Sequence, residues 1–323
     1  MKRWTIYLLM LCVVAITGCS HHQAAAESKI KIGIMLSESG LGDQSFNDSA
    51  FYGLEKARDE LGILFDYKEL ADTGDYKTGF EELIAQGYDL IIGHGPLAEE
   101  DLRIVAEEYP EQQFAIVDSN IDLPNVLNIN FKEQEASFLA GALAGMKTNT
   151  DIVGFIGGET SPVTQQLFSG FRQGVAATNP EAEVLERSAG TSSDEDLGAK
   201  LAFELVVEGA DYIFPPAGTT GKGVIQRAQE SGGYTFGLNS DQFYLGEETV
   251  VSSAMKKIDV ALFSIAKDLV DNGELTIDEL ELGLKENGVG LAPIRVIAMT
   301  KTEEERLNEL KNNIINESIL VNE

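Results

Sequence analysis

The segment Lys29–Leu36 reads KIKIGIML, a short run of β-branched and apolar residues that ends in the polar loop Ser37–Gly40. A run of this length and composition, bounded by Ser and Gly, predicts a buried strand. The next residues predict a helix that begins near Asp43 or Ser45, since either side chain can cap it. The apolar face of this helix recurs every three or four residues, at Phe51, Leu54, Ala57 and Leu61. The folded part of the chain therefore opens with a strand followed by a helix.

The same alternation continues to about residue 271. Further strands are predicted at 63–70, 88–92, 113–117, 125–131, 151–156, 182–187, 211–214, 234–238 and 250–254. Helices are predicted at 76–86, 98–109, 135–146, 163–177, 196–208, 221–230 and 260–271. Regular alternation of this kind predicts parallel sheets with helices on both faces. The 323 residues are enough for two such units, so the expected fold class is α/β with two Rossmann-like lobes.

The loops that follow the predicted strands consist of small or polar residues. In open parallel sheets, a ligand binds beyond the carboxyl ends of the strands. A polar ligand between two lobes needs such loops. The six loops concerned are 37–40 (SESG), 93–95 (GHG), 118–120 (DSN), 157–158 (GG), 217–220 (AGTT) and 239–241 (NSD).

Charge and cysteine content exclude several classes of function. The formal net charge is −29, which disfavours nucleic acid and anionic lipid as partners, because both attract Lys and Arg clusters. The bland alternative is that an acidic surface serves solubility alone. Both cysteines, Cys12 and Cys19, lie at the extreme N-terminus. The body of the protein therefore has no disulfide framework, no thiolate metal site and no cysteine nucleophile.

The first 28 residues predict export. Lys2 and Arg3 precede an apolar run over residues 4–16, which is short for a membrane span. The tetrad Ile16–Cys19 (ITGC) resembles a lipobox, in which the cysteine is acylated. We therefore expect a signal peptide at 1–18, lipidation of Cys19, a tether at 19–28, and a position on the outer face of the cell membrane. The alternative is an uncleaved signal anchor with an incidental cysteine.

Seven motifs, in order and at fitting spacing, resemble those of the basic membrane protein family, the nucleoside-binding lipoproteins of ABC importers. They are GDQSFND (42–48), FAIVDS (114–119), EASFLAG (135–141), VGFIGG (153–158), AGTTGKGV (217–224), NSDQ (239–242) and SSAMKKIDVA (252–261). The resemblance covers about residues 30–263. It implies a type I periplasmic-binding-protein fold with three crossings between lobes, near Phe131, Met255 and Asn272. Lobe I is then expected at 29–131 plus 256–275, and lobe II at 132–255 plus 276–323.

The resemblance also implies a set of ligand-binding residues. Phe46 matches the aromatic that stacks on the base, and Asn47 follows it as a polar contact. Lys256 matches a lysine that contacts ribose, and the ribose-binding acid falls at Asn239 or Asp241. Asp118 and Gly218 match the aspartate and the glycine-rich loop of the family site. His94, the single histidine of the body, follows a predicted strand and is also expected to line the cleft.

The chain departs from the family pattern at three positions. Ser37 stands where the family usually has an aspartate, no aromatic residue occurs near Ser192, and Asn239 replaces the first acid of its loop. A hydrogen bond to a charged group contributes about 1.5–3 kcal/mol, and stacking of a base about 1–3 kcal/mol. Losing several such contacts can change specificity. These departures resemble a divergent branch of the family that is linked to the regulation of competence.

Each candidate also has a plain structural alternative. Phe46 could be the first core residue of its helix, and Asp118 could cap the next turn. Only one of the adjacent Lys256 and Lys257 is expected to reach the ligand. His94 has no second histidine or cysteine near it in sequence, which argues against a transition-metal site. We expect neither a metal nor a cofactor.

Three functions compete. The first is a binding lipoprotein that delivers a nucleoside-like solute to the membrane subunits of an ABC importer. The second is a signalling lipoprotein of the same fold, whose ligand state is sensed by a membrane partner. The third is an enzyme, such as a hydrolase, but the chain contains neither G-x-S-x-G nor H-E-x-x-H. We therefore expect a binding protein and no enzymatic activity.

Overall fold

A computed structural model describes residues 29–322 except Gln44 and Asp278. The predicted signal peptide, the lipidation site Cys19 and the tether lie outside the described residues. Within them, two six-stranded sheets account for all of the strands. The bounds of the strands are β1 Lys31–Met35, β2 Leu64–Lys68, β3 Leu90–His94, β4 Gln113–Val117, β5 Val126–Phe131, β6 Ile152–Gly157, β7 Glu183–Ser188, β8 Tyr212–Phe214, β9 Tyr234–Asn239, β10 Val250–Lys256, β11 Glu279–Leu282 and β12 Val289–Leu291.

The helices alternate with the strands as the sequence predicts. Their bounds are α1 Phe46–Leu61, α2 Leu70–Thr73, α3 Tyr76–Ala85, α4 Glu99–Glu108, α5 Glu133–Lys147, α6 Pro162–Thr178, α7 Glu195–Val207, α8 Gly218–Ser231, α9 Ile258–Asn272 and α10 Lys301–Ile315. The order of strands in the first sheet is β11-β5-β4-β3-β1-β2, and in the second β12-β10-β9-β8-β6-β7. All neighbouring strands run parallel except β12, which is antiparallel to β10. The expected α/β fold with two lobes is confirmed.

The chain crosses between the sheets three times, and the third crossing differs from the expectation. The first follows β5 at Phe131 and the second follows β10 at Lys256. The third follows Leu282, ten residues later than the expected Asn272. The reason is that β11 first pairs with β5, with Leu282 beside Phe131. The segment ELEL alternates acidic and apolar residues, which is compatible with a strand, but four residues do not indicate which sheet the strand joins.

Close helix packing explains the small residues of α5. A Cβ atom at Gly141 would lie 2.0 Å from the carbonyl oxygen of Phe171, and one at Gly174 would lie 1.9 Å from that of Phe138. These contacts require glycine, because no side chain fits between backbones that approach so closely. The helices α5 and α6 therefore pack with their backbones in direct contact. Buried residues of both helices, such as Leu139 and Phe171, belong to one large apolar core.

The C-terminal segment belongs to the second lobe. Thr300 and Glu303 form a capping box at the start of α10, and Leu310 and Ile314 of this helix are buried. Beyond α10, the backbone of Asn322 is bonded to the side chain of Gln173 on α6. In the described part of the chain, no helix combines the length and the apolar character that crossing a membrane requires.

Candidate functional site

The carboxyl ends of the strands of both lobes face a cleft with two connected hollows. The larger hollow has a volume of about 590 Å³. Its first wall is the loop between β1 and α1, and its second wall is formed by the loops after β8 and β9. A smaller hollow of about 350 Å³ lies beside the second crossing, next to Met255 and Lys256. Ser45 and Asn239 border both hollows. The two lobes thus enclose a site at the edge where α/β sheets bind ligands.

Asp43 caps the first turn of α1. Of the two capping residues that the sequence offered, Asp43 and Ser45, the structure uses Asp43. The carboxylate of Asp43 accepts hydrogen bonds from the backbone N–H groups of Ser45, Asn47 and Asp48. Ser45 makes no side-chain capping bond. A carboxylate at this position satisfies the free N–H groups and interacts favourably with the helix dipole.

Asn47 has a structural role in this turn. Its side chain is fully buried, and its Oδ1 accepts bonds from both the backbone N–H and the hydroxyl of Ser37, each at 3.0 Å. Its Nδ2 donates to Asp43 at 3.0 Å. The amide therefore joins the end of β1 to the start of α1. Ser37, the residue that replaces the family aspartate, is bonded inside this network.

Phe46 lies in the wall of the larger hollow, and His94 lies behind it. The two rings are stacked with centroids 3.8 Å apart and planes inclined by 18°. His94 is fully buried, and its Nε2 lies 3.0 Å from the carbonyl oxygen of Phe46, to which a neutral ring donates. Burial lowers the pKa of His94 to about 4, so the ring is neutral at neutral pH. His94 thus supports Phe46 from inside the lobe, and the expectation that it lines the cleft is not met.

A buried ion cluster joins the lobes beside Phe46. The ammonium of Lys256, at the end of β10, lies 2.6 Å from Oδ2 of Asp118 and 2.6 Å from Oε1 of Glu133. Asp118 follows β4 of the first sheet and has φ of 59°, the left-handed region that non-glycine residues rarely occupy. The side chains of Lys256 and Glu133 are 7% and 8% exposed. This burial makes the two pairs much less screened than surface pairs.

Two aromatic rings flank the same ammonium. Nζ of Lys256 lies 5.6 Å from the ring centre of Phe46 and 5.4 Å from that of Phe131. Burial lowers the pKa of Lys256, but the charges of Asp118 and Glu133 outweigh it and raise the pKa above its ordinary value. Burial also raises the pKa of the Glu133 carboxyl, against the opposing effect of Lys256. The lysine is therefore firmly charged.

Sequence reasoning missed Glu133. The predicted helix began at residue 135, whereas α5 begins at Glu133, directly after the first crossing. Glu133, which the cluster uses, lies two residues before the EASFLAG motif. A carboxylate in the first turn of a helix is favourable there, which is the one local signal that could have identified it.

The two candidate residues at the end of β9, Asn239 and Asp241, have different surroundings. Asn239 has φ of 66°, borders both hollows, and its buried Oδ1 has no hydrogen-bond partner among the described residues. Asp241 instead forms an ion pair with Arg295, with an oxygen 2.8 Å from Nη1. Of the two positions that the resemblance offered for the ribose acid, the free polar atom is thus at Asn239.

Gly218 begins α8, three residues earlier than predicted, and lines the larger hollow. Its φ is 55°, and a Cβ atom there would lie 2.9 Å from the carbonyl oxygen of Ser192. Both the left-handed backbone and the close approach favour glycine. Ser192 packs against this loop and against Gly158, at the place where the family has its second aromatic. Across the described residues, no group of three or more His, Cys, Asp or Glu side chains is arranged to hold a metal ion.

Residues 30–323 match the model of the Bmp family, described as ABC transporter substrate-binding protein, PnrA-like. Among curated relatives, the CD4+ T-cell-stimulating antigen of Listeria monocytogenes is 34% identical over 78% of this chain and 77% of its own length. Basic membrane protein D of Borreliella burgdorferi is 32% identical over 90% and 86%. An uncharacterised lipoprotein of Pyrococcus abyssi is 33% identical over 88% and 74%.

Solved structures show the same architecture. An ABC transporter solute-binding protein from Aeropyrum pernix superposes with a TM-score of 0.75 at 25% identity, covering 91% of this chain and 94% of that one. A transcriptional activator of the comK gene from Bacillus halodurans superposes with a TM-score of 0.80 at 22% identity, covering 90% and 100%. The second likeness shows the fold alone. The match over nearly the whole described chain shows that the protein belongs to the Bmp family of PnrA-like ABC transporter substrate-binding proteins.

Proposed function

We propose that this protein is a lipid-anchored solute-binding protein of an ABC importer that captures a nucleoside-like molecule between its lobes. The observation that carries the proposal is the Phe46 ring, which lies in the wall of the larger hollow with His94 stacked against it. A ring stacked on one face and bordering an open hollow is suited to receive a flat base. Asn239 supplies an unpaired polar atom in the same cleft.

The proposed mechanism is closure of the lobes on the ligand. The three crossings are short segments, and hinge closure is the usual motion of two-lobed binding proteins. Asp118 and Lys256 belong to different lobes, so a rotation of one lobe against the other changes the geometry of their ion pair. Closure is expected to reduce the radius of gyration, which small-angle X-ray scattering measures with and without ligand.

The anchor is proposed at Cys19, following the ITGC tetrad. Support comes from the relatives, several of which are named as lipoproteins or membrane proteins. Metabolic labelling with a fatty acid in an expressing cell tests this directly. Cys19→Ala should abolish the label, and a variant that keeps it would place the anchor elsewhere.

A second candidate function is a signalling lipoprotein with a changed ligand. Two groups that the family site would offer to ribose are already paired within this protein, Lys256 with Asp118 and Asp241 with Arg295. This pairing favours a changed ligand. The Bacillus halodurans neighbour, titled a transcriptional activator of the comK gene, has the same fold. Under this alternative a membrane partner senses the ligand state.

Thermal unfolding of residues 20–323, which contain the whole described fold, tests the first function. The panel comprises purine and pyrimidine nucleosides. Selective binding to the folded state raises stability by about 2.7 kcal/mol at a hundredfold excess over Kd. A rise of the midpoint with one nucleoside class supports uptake. No rise with any nucleoside overturns the nucleoside assignment and leaves the signalling function as the better one.

A further inference from the structure

The ion cluster beside the cleft contains one ammonium and two carboxylates. Lys256 is bonded to both Asp118 and Glu133, and the nearby His94 is neutral. When both acids are ionised, the cluster therefore has a net charge of −1. Coulomb interactions are strong here, because the three side chains are largely removed from solvent.

The cluster is within reach of a bound ligand. The Lys256 ammonium lies 5.6 Å from the Phe46 ring, and Lys256 also lines the smaller hollow. Glu133, Lys256 and Asn239 line one narrow gap within the second lobe, beside this hollow. An ammonium has three N–H donors, and two of them are taken by the carboxylates. A ligand that stacks on Phe46 therefore meets a lysine whose charge is already compensated.

We propose that Glu133 is a specificity-determining residue that makes the cleft reject anionic ligands, so that it accepts nucleosides and excludes their phosphorylated forms. This inference rests on the proposed function. Without Glu133, Lys256 and Asp118 would form a neutral pair, and the spare donors of the ammonium would attract a phosphate. With Glu133 ionised, an entering phosphate is repelled by the extra carboxylate.

The test compares binding of one nucleoside and its 5′-monophosphate to residues 20–323 by isothermal titration calorimetry. The nucleoside is the one that gives the largest midpoint rise in the thermal panel. The titrations are made at about pH 8, above the ordinary carboxyl range, where the Lys256 ammonium 2.6 Å away favours the ionised form of Glu133. For the wild type we expect the nucleoside to bind at least about thirtyfold more tightly than the monophosphate. In Glu133→Gln, this ratio is expected to fall at least about tenfold.

Glu135→Gln is the matched control. It removes the same charge from the same helix, but its carboxylate accepts a bond from the backbone of Leu284 and does not touch Lys256. Its ratio should equal that of the wild type. If Glu133→Gln does not fold, Asp118→Asn removes the other carboxylate of the same ammonium and should lower the ratio in the same direction.

The outcomes separate the two proposals. Failure of the wild type to bind any nucleoside overturns the proposed function. A wild type that binds nucleoside and monophosphate equally, or an unchanged ratio in the folded Glu133 and Asp118 variants, overturns the role of Glu133 while the nucleoside function stands. An equal fall of the ratio in Glu135→Gln would also overturn it, because the effect would then come from general charge.

Discussion

Lys256 at the end of β10 and Asp118 after β4 form an ion pair of 2.6 Å that joins the two sheets inside the protein. The two residues are separated by 138 positions in the chain and belong to different lobes. Glu133, at the first crossing, completes the cluster at the same distance from Nζ. The hinge region and the ligand cleft therefore share one set of charges.

Lys256→Met should destabilise the protein by about 3–5 kcal/mol at neutral pH, because it leaves two buried carboxylates without their cation. Chemical denaturation monitored by circular dichroism measures the loss. Lys285→Met is the control, since that lysine is 61% exposed and pairs with the exposed Glu317. A loss at Lys256 no larger than at Lys285 would show that the cluster contributes nothing to stability.

Phe46→Ala should weaken binding of the nucleoside by about 5- to 150-fold, because stacking on an aromatic contributes about 1–3 kcal/mol. Calorimetric titration measures the affinity. Phe51→Ala provides the comparison on the same helix, since Phe51 packs edge-on against Phe65 of β2 and lines neither hollow. It should lower stability and leave affinity unchanged. Wild-type affinity in Phe46→Ala would remove Phe46 from the site.

His94 should make stability fall on acidification. Its pKa is about 4 in the folded protein and about 6.5 when unfolded. Between these values the unfolded chain takes up a proton that the folded chain refuses, so stability is lost as pH falls through this window, by about 3 kcal/mol in total.

Denaturation of the wild type and of His94→Gln at about pH 7 and pH 4.5 measures this contribution. The variant should be less stable at neutral pH, because it loses the stacking on Phe46. Its decline on acidification should be flatter by about 2–3 kcal/mol. Parallel declines would show that His94 is not the titrating group.

Gly218→Ala should disturb the second wall of the cleft. The new Cβ would lie 2.9 Å from the carbonyl oxygen of Ser192, in a backbone with positive φ. Gly232→Ala is matched, because Gly232 has φ of 72° but nothing within 4 Å of a Cβ. Its cost should be only the conformational one, about 1–2 kcal/mol for a Cβ in the left-handed region. Denaturation should show a greater loss of stability for Gly218→Ala than for Gly232→Ala. Calorimetric titration should show weaker ligand binding for Gly218→Ala and unchanged binding for Gly232→Ala.

The residues that the sequence motifs name differ in whether the folded protein leaves their side chains free. Phe46 and Lys256 line the two hollows of the cleft. Asn47 and Asp241, which the same motifs name, are bonded to other residues of the protein, Asn47 to Ser37 and Asp241 to Arg295. A motif specifies a position in the fold. Whether a polar side chain at that position is free depends on partners that are distant in sequence, such as Arg295, 54 residues beyond Asp241.

The sequence by itself determined the two parallel sheets, because strands and helices differ in their local hydrophobic period and alternate regularly to about residue 271. It also determined the family, through seven motifs in order. Only the tertiary structure decided the third crossing after β11, the position of His94 behind Phe46, and the place of Glu133 in the ion cluster. The physical reason is that these features depend on pairing between distant segments. The local sequence of a short strand or a single acid does not predict which distant residue it will contact.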